Sequence, residues 1–126
     1  MSASLFLTKA QESLQAAQHL LERDWFNSTA NRAYYAVFHA TRAALVAAGI
    51  SSPDHVWSHM GIQAGLSKLV HRRKVYPAQM LADFTTLMGY RELADYKVGV
   101  VSSRIARLVV KKASEFVANI EREISS

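Results

Sequence analysis

The sequence predicts an all-α protein: an up-and-down antiparallel four-helix bundle with a short accessory helix, five helical segments in all. Three observations carry this. Apolar residues recur at intervals of three and four over long stretches, the period of one face of an α-helix. No stretch sustains the period of two that a half-buried strand needs. Only five Gly and two Pro punctuate 126 residues, so turns are few and the elements between them long. Half of the residues are hydrophobic and mean hydropathy is close to zero, which supplies a core and argues against disorder.

The elements follow in order. The first helix is expected over Ser4 to Arg23, with Leu7, Ala10, Leu14, Ala17 and Leu21 in a 3–4 pattern and Ser4 as its candidate N-cap. Asp24 to Asn27 form a turn whose Trp25 and Phe26 plug a corner of the bundle. The second helix runs from Ser28 to Ala48 and stops at Gly49, a residue free to take the left-handed C′ conformation. Ser51, Ser52 and Pro53 make the next loop. A third, shorter helix covers Val56 to His71, with Trp57, Met60, Leu66, Leu69 and Val70 as apolar positions. Arg72 to Tyr76 is a basic connector. Pro77 opens the fourth helix as its first residue; Met80, Leu81, Phe84, Leu87 and Met88 form its core face, and it ends near Tyr96. The last helix spans Val100 to Ile124, with Ile105, Leu108, Val109, Phe116 and Ile120 inward. Without a linker, repeat or low-complexity tract, residues 1–126 read as a single helical domain.

Composition narrows the chemistry. With no cysteine, disulfides, thiolate metal sites and cysteine nucleophiles are excluded. The opening MSASLFLTKAQESL lacks a basic region followed by a long apolar run, so no secretory leader is expected. No apolar run approaches the ~18 residues that span a bilayer, and a cytoplasmic protein without membrane partners is expected. The net charge of +5 and pI near 9.7 admit acidic partners such as nucleic acid. Lys68, His71, Arg72, Arg73 and Lys74 cluster at one helix end, and Arg104, Arg107, Lys111 and Lys112 share a face of the last helix. Cations at helix C-termini also complement the helix dipole.

The second helix carries two stripes. Tyr34, Phe38, Thr41 and Leu45 form one; Arg32, Tyr35, His39 and Arg42 form another beside it. Two arginines mixed with Tyr and His suit a helix buried on one side and presented to a ligand or second subunit on the other. His55 and His59 are four apart, a spacing seen in metal sites. Val56, Trp57 and Ser58 lie between them and no third ligand is evident, so no metal site is expected. No glycine-rich phosphate loop is present, and no cofactor is expected.

Three strings occur in order: Asn31-Arg32-Ala33-Tyr34-Tyr35-Ala36-Val37-Phe38-His39-Ala40, then Ser58-His59-Met60-Gly61, then Arg91-Glu92-Leu93-Ala94-Asp95-Tyr96. Together they resemble the HEPN superfamily, in particular its small stand-alone prokaryotic branch, and the likeness covers nearly the whole chain. The resemblance implies a homodimeric helical bundle that works beside a minimal nucleotidyltransferase. It also implies a site built on an Arg followed, after four to six residues, by a His, used in many members for metal-independent RNA cleavage. His serves there as general acid or base, and Arg stabilises the charge on the phosphorane.

In this sequence Arg91 takes the Arg position, and Tyr96 stands where the His is expected, preceded by Asp95. A phenol with a pKa near 10 is a poor base at neutral pH. Asp95, four residues after Arg91, is placed for an ion pair that closes the helix end, with Tyr96 capping the bundle. Arg32 and His39 fit the spacing of Arg and His in another helix, which makes His39 an outlying catalytic candidate beside Arg91, Asp95 and Tyr96. Arg32, Tyr35, His39, Arg42 and His59 are expected at a ligand-facing or dimer surface. The reading these residues favour is a non-catalytic or weakly catalytic RNA- or nucleotide-binding component. An RNase toxin of a toxin–antitoxin pair and a structural dimerisation module are the alternatives.

Overall fold

The computed structural model describes residues 2–97 and 99–126. Its elements are α1 (Ser2–Glu22), α2 (Phe26–Ala47), α3 (His59–Ser67), a π-helical turn (Lys68–Arg72), α4 (Ala78–Tyr96) and α5 (Ser103–Ser125). Among the described residues there is no strand. The predicted all-α bundle is therefore the one observed: α1, α2, α4 and α5 pack together, and α3 with its π turn lies against α2 and α4.

The second helix is the axis of the molecule. It packs against α1, α5 and α4 and buries more than half of its own length. Its alanines explain how: Ala30, Ala33, Ala36, Ala40, Ala43 and Ala44 are all buried, and small side chains let neighbouring helices approach closely. Ala10 and Ala17 are likewise fully buried on α1. The large residues of the core sit around this axis: Tyr34 and Leu45 from α2, Ile62 and Leu66 from α3, Met80, Phe84 and Leu87 from α4, Phe116 and Ile120 from α5. Gly65 shows how tight the α2–α3 contact is. A Cβ there would meet Leu45 Cδ1 at 2.8 Å, and Leu45 is fully buried with no room to retreat. Gly65→Ala is expected to cost about 1–3 kcal/mol by overpacking, read as a lower urea midpoint at unchanged slope.

Several element ends differ from expectation, each for a local reason. The first helix begins at Ser2, so Ser4 lies inside it; its carbonyl accepts from Thr8 Oγ1 at 3.0 Å and it is not the cap. Trp25 does not plug a corner, because its side chain is 58% exposed. Its backbone makes the corner instead: the Trp25 N–H donates to Leu20 O at 3.0 Å, and its carbonyl accepts from the Thr29 N–H and Oγ1. Asp24 takes the left-handed conformation (φ 60°) that this tight reversal needs. Phe26 packs half-buried in the first turn of α2.

The third helix starts at His59 rather than Val56. Ser58 Oγ accepts the Gly61 N–H at 2.9 Å and so sets the first turn. Val56 and Met60, expected inward or within the helix, are 89% and 72% exposed. Near Lys68 the helix widens, and Arg73 N–H donates to Lys68 O five residues back. Pro77 is the N-cap residue, with an extended ψ of 151°, and Ala78 begins α4 one position later than expected. The last helix begins at Ser103, behind a Ser102 cap that accepts from the Ile105 N–H at 3.2 Å. Ile105 and Leu108 are half-buried while Val109 faces the core. On α5 the basic residues divide: Arg104, Arg107 and Lys111 are exposed, and Lys112 pairs with Asp83 at 3.0 Å.

Candidate functional site

Arg91 is the point at which the sequence strings converge. It lies in the last turns of α4 and is only 6% exposed, which is unusual for a cation. Its guanidinium carbon sits 5.2 Å from the ring centroid of Tyr34, 5.9 Å from that of Tyr35 and 5.3 Å from that of Tyr96. Three aromatic faces thus compensate for lost hydration. Asp95 lies 3.8 Å from Nη1, the ion pair the i, i+4 spacing predicts. Burial alone opposes the charge on Arg91. A hydrogen bond with Tyr96 and the electronegative Tyr35, Tyr96 and Tyr34 outweigh it and leave the pKa raised. The guanidinium is therefore permanently charged, yet its buried Nε has no hydrogen-bond partner.

Tyr96 departs from its expected role. It does not cap the bundle; it is 73% exposed and stands over Arg91. Asp95 is held from the other side by Asn31, whose Nδ2 donates to Oδ2 at 2.8 Å. One helical turn earlier, Asn27 Oδ1 accepts the Val101 N–H at 2.9 Å. Two asparagines on one face of α2 therefore pin both sides of the α4–α5 corner. Sequence reasoning missed this pair. The available signal was two amide side chains four apart on an otherwise alanine-rich helix, which share a face and call for a polar neighbour. Asn27, Ser28, Asn31, Arg32, Ala94, Asp95 and Tyr96 line an open groove of about 580 Å³ beside Arg91.

The structure also brings a histidine to this cluster from a distant part of the chain. His59 opens α3, and its Nδ1 is 2.6 Å from the Tyr34 hydroxyl. Its ring centroid lies 5.4 Å from that of Tyr34, 6.3 Å from Tyr35 and 5.7 Å from Phe38. Burial and then the Arg91 charge hold its pKa below the usual histidine value, with Glu92 acting in the opposite direction. His59 is thus neutral at pH 7. A Tyr34 hydroxyl that donates to Nδ1 leaves the proton on Nε2; one that accepts from Nδ1 leaves Nε2 as a base. Burial raises the Tyr34 pKa, so the hydroxyl keeps its proton.

The Arg32–Arg42 stripe is divided by the fold. Arg32 is exposed and lines the groove beside Tyr96. Tyr35 is half-buried against Arg91. His39 touches the aromatic cluster through Tyr35 (6.3 Å) and Phe38 (5.7 Å), but it also faces α1. Arg42 lies over the Phe6 ring of α1 at 4.1 Å and donates to His55 O at 3.4 Å. His55 and His59 do not share a ligand position: the His55 ring packs edge-on to Trp57 at 4.3 Å, while His59 turns to Tyr34. Among the described residues no three His, Cys, Asp or Glu side chains converge as a metal site.

His39 is the most perturbed histidine. Burial first, then the Arg42 and Lys9 charges, push its pKa down to about 4, and its Nδ1 is buried without a partner. In the unfolded chain it returns to about 6.5, so between pH 6.5 and 4 the unfolded state binds more protons. Stability is therefore full above pH 6.5 and falls as the pH drops toward 4. The slope stays below the ~1.4 kcal/mol per pH unit limit for one proton, because the ring is half-exposed and screened. His39→Gln is expected to flatten the difference between urea unfolding at pH 7 and at pH 5. An identical slope in the variant assigns the acid lability elsewhere.

A profile of the HEPN domain matches residues 3–123. A UPF0332 protein of Gloeobacter violaceus is 29% identical over 120 residues, which cover 89% of this chain and 93% of that relative. HEPN domains have nucleotide- or RNA-related roles and commonly dimerise. Among the described residues, no helix is long and apolar enough to cross a membrane. A match along almost the whole chain, on an all-helical bundle that gathers Arg91, the paired tyrosines and His59 at one end of α4, means that this chain belongs to the HEPN domain family.

Proposed function

We propose that the Arg91 cluster binds the phosphate of RNA or of a nucleotide. In this reading the protein is a cytoplasmic, homodimeric binding component, non-catalytic or weakly catalytic, that works with a minimal nucleotidyltransferase. The observation that supports it is the guanidinium itself: permanently charged, loosely paired, and set among three tyrosines beside a polar groove. Asp95 at 3.8 Å is a loose partner. A phosphate offers a tighter two-pronged one, matched to the planar fork of Arg. The exposed ring of Tyr96 gives a base a face to stack on, and Arg32 adds a second cation at the groove.

The test is binding. Fluorescence anisotropy with labelled single-stranded RNA and with a labelled nucleotide is expected to show saturable binding at low salt that weakens steeply as salt rises. No binding of either probe overturns the reading. Co-purification of a small nucleotidyltransferase with the tagged protein from its native host tests the partner; its absence removes that part alone.

One observation favours the second reading, a metal-independent RNase toxin. Tyr96 replaces the expected His, but His59 stands against Tyr34 on the same cluster as Arg91. Neutral His59 Nε2 would take the proton from a ribose 2′-hydroxyl as that oxygen attacks the adjacent phosphorus. The P–O5′ bond breaks as the 2′-oxygen–phosphorus bond forms, and the 5′-oxygen takes a proton from water, giving a 2′,3′-cyclic phosphate and a 5′-hydroxyl end. Arg91 would hold the extra negative charge of the phosphorane. Cleavage in EDTA that disappears in His59→Ala supports this reading. Intact RNA after prolonged incubation with wild type leaves only the binding role.

A further inference from the structure

A second groove opens on the opposite side of Arg32. Lys9, Glu12, Ser13, Ala16, Arg32 and His39 line a space of about 400 Å³ between α1 and α2. Arg32 thus belongs to two grooves, lining both the Tyr96 groove and this one. The cations here are positioned rather than free. Lys9 Nζ and the Arg42 guanidinium both lie over the Phe6 ring, at 5.9 and 4.1 Å. Glu12 is the one opposing charge lining the groove.

His39 makes this groove more than a charged surface. Its Nδ1 is buried and without a partner, and burial first, then the neighbouring Arg42 and Lys9 charges, keep the ring neutral. A buried polar nitrogen with nothing to bond is costly. An anionic oxygen entering the groove would balance Lys9 and accept a hydrogen bond from Nε2, the ring nitrogen that is not buried, which fixes the proton there and leaves Nδ1 as the unprotonated nitrogen. From Asn27, the first α2 residue lining the Tyr96 groove, to His39 is twelve residues of helix, about 18 Å along the axis. That span suits a few nucleotides of an extended strand, not a single phosphate.

We propose that the groove of Lys9, Ser13, Arg32 and His39 is a second phosphate subsite, so that a single RNA strand crosses α2 with Arg32 shared between its two halves. This rests on the reading of the Arg91 cluster as the RNA- or nucleotide-binding site. It assigns what that cluster does not: a preference for a strand over a mononucleotide, and Lys9 and His39 as its determinants.

The experiment compares a ribodinucleotide with a longer oligoribonucleotide on wild type, Lys9→Ala and His39→Gln. Wild type is expected to bind the longer RNA more tightly. Lys9→Ala should weaken the longer RNA about tenfold and lower its salt slope by about one, leaving the dinucleotide unchanged. His39→Gln should weaken the longer RNA in the same selective way. Equal affinity of wild type for both probes, or an unaltered salt slope in Lys9→Ala, overturns the subsite while the Arg91 reading survives. Lys9-dependent binding of the longer RNA that persists in Arg91→Ala overturns the Arg91 reading and keeps the groove. A change of oligomeric state in Lys9→Ala with unchanged RNA affinity assigns the groove to the contact between copies and also overturns the proposal. Thermal melts of each variant confirm that a loss of binding is not a loss of fold.

Discussion

Arg91→Ala is expected to weaken RNA or nucleotide binding by a hundredfold or more. Two charge-assisted hydrogen bonds to a phosphate, each contributing about 1.5–3 kcal/mol, correspond to at least that factor. The substitution also removes three cation–π contacts and leaves Asp95 with Asn31 as its hydrogen-bond partner. A stability loss of about 1–2 kcal/mol should accompany it, too little to unfold a domain of ordinary stability. Arg91→Lys separates charge from geometry. It keeps the cation and loses the fork, so an intermediate affinity is expected. Anisotropy titrations at fixed salt, with circular dichroism melts in parallel, provide the check. Wild-type affinity in a folded Arg91→Ala protein would remove this cluster from the binding site.

The largest effect on the fold is expected from Phe84→Ala. Phe84 is fully buried, with its ring 5.7 Å from Tyr34 and 6.4 Å from Phe116, so it joins α4 to both α2 and α5. Deleting a ring at such a centre costs about 3–5 kcal/mol, because transfer energy is lost and the surrounding helices close only part of the cavity. That is a large share of the 5–15 kcal/mol typical of a domain, and it should lower the melting temperature by on the order of 10–20 °C. The cavity also opens behind Tyr34, the residue that holds His59. The His59 ring resonances are therefore expected to broaden or shift in the variant even where it remains folded. A loss below about 1 kcal/mol by urea denaturation would show that the bundle recloses over the gap.

These two sites differ in how far the sequence announced them. Phe84 sits in a clear three–four repeat with Met80 and Leu87, and all three are buried as expected. The Arg91–Asp95 pair followed from a spacing of four within one helix. Such relations are local, and the helical period alone places the groups. Tyr96 shows the limit. Its place at the end of α4 was readable, but whether its ring turned into the bundle or over Arg91 depended on the polar corner that Asn27 and Asn31 build from another helix. The ends of the elements failed for similar reasons. Trp25 was assigned inward by hydrophobicity, yet the backbone hydrogen bonds of the corner leave its ring outside.

Period and composition sufficed for the class of fold, the identity of the long helices and the family string on α2, because each is written in residues close together along the chain. The assembly of the candidate site was not written there. His59 and Tyr34 are 25 residues apart, and Asn31 and Asp95 are 64 apart. The stripe of Arg32, Tyr35, His39 and Arg42 is continuous on a helical wheel. In the folded protein α1 and α4 approach α2 from different sides: Arg32 lines a groove with each, His39 lines only the groove beside α1, and Tyr35 and Arg42 line neither. Helix packing, which no single segment encodes, decides which of two neighbouring side chains meets which partner.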